Sequence, residues 1–198
     1  MTIPLDPGAG GRSIGTDALE IGDIIVSTTP ARISELIRAV TDSPVSHSML
    51  YIGGGQVVEA IKPGVTLRSL GEAVREASLA AAYRHPRLTS TQALRVRDVV
   101  GHNLDKGYDF TGIAGQAGFA LDRAVLCLEA DIECIRRVGT NNMRLERKDR
   151  FFCSELVADA FQRVGLPLTD TPPSWVSPDD IANLRVRGHL EYVGHLKA

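Results

Sequence analysis

Two β-rich runs joined by three glycines constrain this chain more than any other stretch. Val45-Ser46-His47-Ser48-Met49-Leu50-Tyr51-Ile52 leads into Gly53-Gly54-Gly55, and Gln56-Val57-Val58-Glu59-Ala60 follows. Such runs, linked by residues that accept positive φ without strain, predict an antiparallel hairpin. The glycines do not read as a phosphate-binding loop, because no Lys-Ser/Thr follows them and no helix opens there. Further strands are expected over residues 21–27, 65–68, 79–83 and 190–196.

Helical signals fill the remainder. Thr28-Thr29-Pro30 reads as a helix start, with Ile33, Leu36, Ile37 and Val40 on one face and an end near Asp42-Ser43-Pro44. Ser69 is placed to cap a short helix over 69–76, with Glu72 in the capping-box position. Residues 89–106 carry a helical apolar pattern that Gly107-Tyr108-Asp109-Phe110 brings to an end. Residues 110–139 are largely apolar, with Gly112, Gly115 and Gly118 at three-residue intervals that suit close packing or a flap equally. A polar linker over 141–150 then leads to Cys153. Leu156, Val157, Ala160, Phe161 and Val164 repeat at helical spacing after it, and Gly165 with Leu166-Pro167 stops the pattern. Residues 171–175 read as an extended loop, and Ser177 with Pro178 opens a last short helix. Strands crowd the first half and helices the second, which predicts an α+β domain rather than βαβ units. Residues 1–18 are expected to be a flexible lead-in, and 19–198 one domain with a helical insertion at about 111–149.

Composition narrows the function classes. A chain of 198 residues with a formal net charge of −2 offers no electrostatic case for nucleic acid. Cys127 and Cys134 lie about two helical turns apart, roughly 10 Å of rise, too far to bridge within one straight helix. A reduced compartment is the expectation. With no Cys-x-x-Cys and no His-Glu-x-x-His, neither a metal nor an organic cofactor is expected. No stretch approaches the ~20 apolar residues of a membrane span. The start of the chain lacks the basic and apolar regions of a secretory signal. The expectation is a soluble, cytoplasmic protein, with export by a dedicated secretion machine left open.

The chemistry gathers around Cys153. A thiol in the first turn of a helix faces unpaired backbone N–H groups and the positive end of the helix dipole, and both favour the thiolate. Arg147, Lys148 and Arg150 lie just upstream and could add to that effect. A lone cysteine on a helix is more often packing than chemistry, so a base is needed. His47, His85, His102, His189 and His195 are the candidates. Only His47 combines a strand start with an acidic partner one strand away, because Glu59 lies across the hairpin, where side chains approach to about 5 Å. Asp42, Asp109 and Asn103 are weaker candidates for the orienting role. Cys153, His47 and Glu59 each supply what the others require.

These motifs resemble the circularly permuted papain-like hydrolases related to NlpC-type cell-wall peptidases, in the YaeF/YiiX-like branch. The resemblance is carried by Ile21-Gly22-Asp23-Ile24-Ile25, by Ser46 to Gly53 with Val57-Val58-Glu59-Ala60, and by Gly107-Tyr108-Asp109-Phe110. Phe152-Cys153-Ser154-Glu155-Leu156-Val157 and Ser177-Pro178-Asp179-Asp180-Ile181 complete it. It implies an antiparallel sheet packed against the helix that bears the nucleophile, with the histidine strand ahead of the cysteine helix. It also implies Cys153 as nucleophile, His47 as general base and then acid, Glu59 as orienting group, and Tyr108 in the cleft or at the oxyanion. The substrates it suggests are peptides, peptidoglycan fragments or isopeptide-like amides. Two other readings stay open: an acyltransferase or lipase on acyl lipids, like the lecithin:retinol acyltransferase branch, and an inactive binding module. Oligomeric state is not legible.

Overall fold

The computed structural model describes residues 11–28, 44–109, 149–185 and 187–196. The helix expected before Pro44, the apolar stretch 110–139, Cys127 and Cys134 lie outside them.

In chain order the strands are β1 (Ser13–Ile14), β2 (Ile24–Thr28), β3 (His47–Gly53), β4 (Gln56–Ile61), β5 (Gly64–Ser69), β6 (Leu79–Arg84), β7 (Gly107–Tyr108), β8 (Arg150–Phe151) and β9 (Glu191–Leu196). The helices are α1 (Leu70–Arg75), α2 (Ser90–Gly101), α3 (Cys153–Arg163) and α4 (Pro178–Asn183). All described strands join one sheet in the order β1-β9-β6-β2-β3-β4-β5-β7-β8. Its pairings are antiparallel except at the two ends, where β1 with β9 and β7 with β8 run parallel. The α+β expectation holds, with strands adjacent in sequence pairing through β2 to β5.

The hairpin forms where the glycines predict it. Gly54 and Gly55 make a two-residue turn with φ of 61° and 71°, the left-handed pair that matches strand twist. An added Cβ at either would meet nothing, so the requirement is conformational. Gly64 serves a different need. Val65 N–H donates to the Lys106 carbonyl, and a Cβ on Gly64 would lie 2.1 Å from that oxygen.

Alternation along the strands divides the core. Ile24, Val26, Leu50, Val58 and Ala60 face Leu156, Val157, Ala160 and Phe161 of α3 on one side of the sheet. Ile25, Met49, Tyr51 and Val57 face Leu70, Ala73 and Val74 of α1 on the other. Each fully buried Leu or Phe contributes about 1.5–3 kcal/mol, so α3 is held by its apolar stripe.

Several boundaries depart from the sequence reading. Residues 11–18, expected as a flexible lead-in, are tied down: Ser13 and Ile14 pair with His195 and Leu196. The helix expected over 89–106 stops at Gly101, because the chain turns to serve β5. Asp105 N–H donates to the Val65 carbonyl from a residue with φ of 66°. Gly107 and Tyr108 are therefore a short strand rather than a helix terminus. The caps form as expected. Ser69 accepts from Glu72 N–H, and Ser177 and Asp180 close a capping box around Pro178.

Asp23, from the Ile21–Ile25 motif, proves to be a structural anchor. Its carboxylate accepts from Arg84 Nε at 2.8 Å, Arg84 Nη2 at 2.7 Å and Glu20 N–H at 2.8 Å, and it is 1% exposed. Asp23→Ala leaves Arg84 without its fork partner, although Arg84 is near enough to water to recover some solvation. Stability should fall by about 2–3 kcal/mol, read as a lower urea midpoint at unchanged slope.

Candidate active site

Cys153 opens α3, directly after β8. Phe152 is the N-cap residue, and its N–H donates to Glu155 Oε2 at 3.3 Å. The thiol thus sits at the positive end of a helix whose apolar stripe fixes it against the sheet. His47 is the first residue of β3 and Glu59 lies in β4. Leu50 pairs with Val58 and Tyr51 with Val57. Continuing that register sets Glu59 opposite Met49, with His47 as its diagonal neighbour on the same side of the strands.

The three side chains meet. His47 Nε2 lies 2.5 Å from Glu59 Oε2, and His47 also hydrogen-bonds the Cys153 side chain. With Nε2 committed to the carboxylate, Nδ1 is left to face the sulfur. The backbone N–H groups of Ser48 and Ser154 donate to the same sulfur. All three residues are buried.

Burial penalises every charge in this cluster, and partner charges outweigh it. Burial pushes the Cys153 thiol up, but the His47 charge, its hydrogen bond and the Ser48 and Ser154 N–H groups bring it below the usual thiol value. Burial pushes His47 down, whereas Cys153 and Glu59 raise it to about 10. Glu59 is likewise held below its ordinary value against burial, by His47 and then by Arg68. The directions of these shifts all favour a thiolate and an imidazolium backed by a carboxylate.

The basic run ahead of Cys153 does not supply this effect where the structure describes it. Arg150 is exposed beside Asp149, 3.9 Å away, and His47 provides the positive charge instead. Arg147 and Lys148 lie outside the described residues, as does Asp42.

Tyr108 in β7 stands beside Phe151 of β8, two residues before the thiol. Burial raises its hydroxyl, and the charges of Cys153 and Asp109 raise it further, so it stays protonated as a donor. Asp109 N–H donates to the Phe151 carbonyl, and Asn103 lines a separate groove with Arg95, Asp98 and His102. Neither is among the groups that bear on His47. The side chains of three of the four remaining histidines have other partners. His85 stacks on Phe161, His102 bonds the Asp98 carbonyl, and His195 contacts Tyr192.

Sequence reasoning missed Arg68 and the Ser48 N–H. Arg68 Nη1 donates to Glu59 Oε1 at 3.0 Å, and Nη2 to Glu76 Oε1 at 2.8 Å. The signal available was Thr66 and Arg68 alternating on the strand after Glu59, which pointed to a shared face without naming a contact. Among the described residues, no group of three or more His, Cys, Asp or Glu side chains could hold a metal ion. No described helix is long and apolar enough to cross a membrane.

Comparison with known proteins identifies the family. Residues 18–117 match the permuted papain-like amidase enzymes of the YaeF/YiiX, C92 family. The chain is 31% identical over 202 aligned positions to the probable lipoprotein peptidase YaeF of Escherichia coli K12, covering 94% of this chain and 74% of that protein. It also resembles the crystal structure of the metalloprotein YiiX from Escherichia coli O157:H7. There the TM-score is 0.62 at 17% identity, over 87% of this chain and 95% of that one, a likeness of fold.

The depressed thiol and the raised imidazole define a window in which the ion pair exists. It opens as pH rises through the Cys153 value and closes as His47 loses its proton near 10. Alkylation of Cys153 by iodoacetamide, located by peptide mass spectrometry, should stay fast well below the ordinary thiol value of about 8.5. His47→Ala removes the charge and the hydrogen bond that oppose burial most and leaves only the Ser48 and Ser154 N–H groups against it, so alkylation at pH 7 should fall by at least about 10-fold.

Proposed function

The chain belongs to the C92 family of permuted papain-like amidases, cysteine hydrolases of the peptidase and amidase type, and we propose that it cleaves amide bonds through Cys153, His47 and Glu59. The observation that carries the reading is the His47 ring held between the Cys153 thiol and Glu59 Oε2, 2.5 Å from the latter.

The thiolate attacks the amide carbonyl carbon, forming a carbon–sulfur bond and moving an electron pair onto oxygen. The backbone N–H at the start of α3 and the protonated Tyr108 hydroxyl are the donors for that oxyanion. Collapse breaks the carbon–nitrogen bond as the His47 imidazolium passes its proton to the leaving amine. A thioester remains. Neutral His47 then takes a proton from water, the hydroxide attacks the thioester, and the acid departs as the thiolate re-forms. Glu59 holds one ring nitrogen throughout, so the other stays directed at sulfur and substrate. No step calls for a metal or an organic cofactor.

A peptide or cell-wall muropeptide is the favoured substrate, in line with the family and with the peptidase name of the Escherichia coli relative. Incubation with muropeptides beside phospholipid vesicles separates this from acyl transfer between lipids. Release from muropeptides alone is expected, and turnover confined to vesicles would overturn the peptidase reading. Cys153→Ala should lower turnover by at least about 10³-fold with unfolding little changed. Retained turnover in that variant would end the proposal. Glu59→Gln should cost less, on the order of 10-fold, because it removes a charge-assisted bond while preserving its shape.

A further inference from the structure

Glu59 has two carboxylate oxygens, and His47 occupies one of them. The other accepts from Arg68 at 3.0 Å, and Arg68 reaches on to Glu76 at 2.8 Å. The Glu59 side chain is 2% exposed and that of Glu76 63%, so one guanidinium joins the buried carboxylate to another at the surface. Strand register makes this possible. Glu59 pairs with Thr66 and Val57 with Arg68, which makes Arg68 the diagonal neighbour of Glu59. Ser69 follows at once as the N-cap of α1, and Glu76 is the C-cap residue of the same helix. Residues 68–76 therefore fold back on themselves over buried Leu70, Ala73 and Val74, with the Arg68–Glu76 pair clasping the two ends.

We infer that Arg68, anchored by Glu76, is a positioning residue for this reaction, holding the Glu59 carboxylate ionised and turned toward His47. The inference rests on the hydrolase reading of Cys153, His47 and Glu59. A buried carboxylate facing only an imidazolium is open to protonation, because burial favours its neutral form. Once Glu59 is neutral, the imidazolium loses the opposite charge on its far side, and the thiolate–imidazolium pair is weakened. A second cation across the carboxylate prevents this. The planar fork of arginine suits the task, since its nitrogens reach two carboxylates at once and a single ammonium cannot match that geometry. A clasp with only a structural role would affect stability and leave the titration of the thiol where it was.

The test is the pH dependence of Cys153 alkylation by iodoacetamide in the full chain, with the site assigned by peptide mass spectrometry and unfolding followed in parallel. Arg68→Met should move the acid limb upward by about one pH unit, which lowers the rate at pH 6 by about 10-fold. Arg68→Lys keeps the charge and should restore at least half of that displacement. If Arg68→Met does not fold, Glu76→Gln decides. It frees the far end of the guanidinium and should raise the limb by roughly 0.3 units. An unmoved limb in a folded Arg68→Met, no restoration by lysine, or an unmoved limb in Glu76→Gln overturns the inference. A wild-type Cys153 that titrates as an ordinary thiol overturns it together with the hydrolase reading, whereas an unmoved variant limb beside a shifted wild-type limb defeats the role of Arg68 alone.

Discussion

The buried contact between the Cys153 thiol and the His47 ring is the interaction to which the rest of the structure is fitted. Taking a thiolate and an imidazolium out of water costs several kcal/mol per ion, and their attraction offsets this only when further groups complete the shell. Here the sulfur receives two backbone N–H groups and the imidazolium faces Glu59. Glu59 in turn faces Arg68, and Arg68 faces Glu76. Signs alternate from the first turn of α3 to the surface, so each buried charge has an opposite neighbour.

Such a chain of charges needs supports that do not drift. His47 and Glu59 belong to strands whose neighbours Leu50, Val58 and Ala60 are packed against α3. Helix and hairpin therefore share one core, and the packing that stabilises the fold also sets the spacing of thiol and imidazole. β5 and α1 supply the second layer by the same economy. The strand carrying Arg68 runs straight into the cap of the helix that ends at Glu76. Structural and chemical roles separate at Asp23, whose carboxylate holds Arg84 and the Glu20 N–H and so anchors the entrance to β2.

Tyr108 illustrates how an irregular junction contributes. Its strand is two residues long and parallel to β8, and it exists because the Val65–Lys106 bond draws the chain across the end of β5 at Gly64. That crossing sets a protonated hydroxyl in the field of the thiol. Apolar periodicity carries no trace of it, since a crossing strand of two residues has no period to read.

The sequence by itself determined the local elements and their chemistry. Glycines 53–55 dictate the hairpin, Ser69 and Ser177 their helix starts, and the apolar repeat after Cys153 its helix, because each depends on neighbours a few residues away. His47 and Glu59 were legible as partners for the same reason, being separated by a single short turn. Tertiary structure alone decided that the thiol of Cys153 meets His47, that the positive charge beside it comes from His47 rather than from Arg150, and that Arg68 closes the far side of Glu59. It also decided that Ser13 and Ile14 join the sheet through β9. These contacts join segments whose separation in sequence carries no information about their approach. Register and helix packing create them, and neither is written in the local pattern.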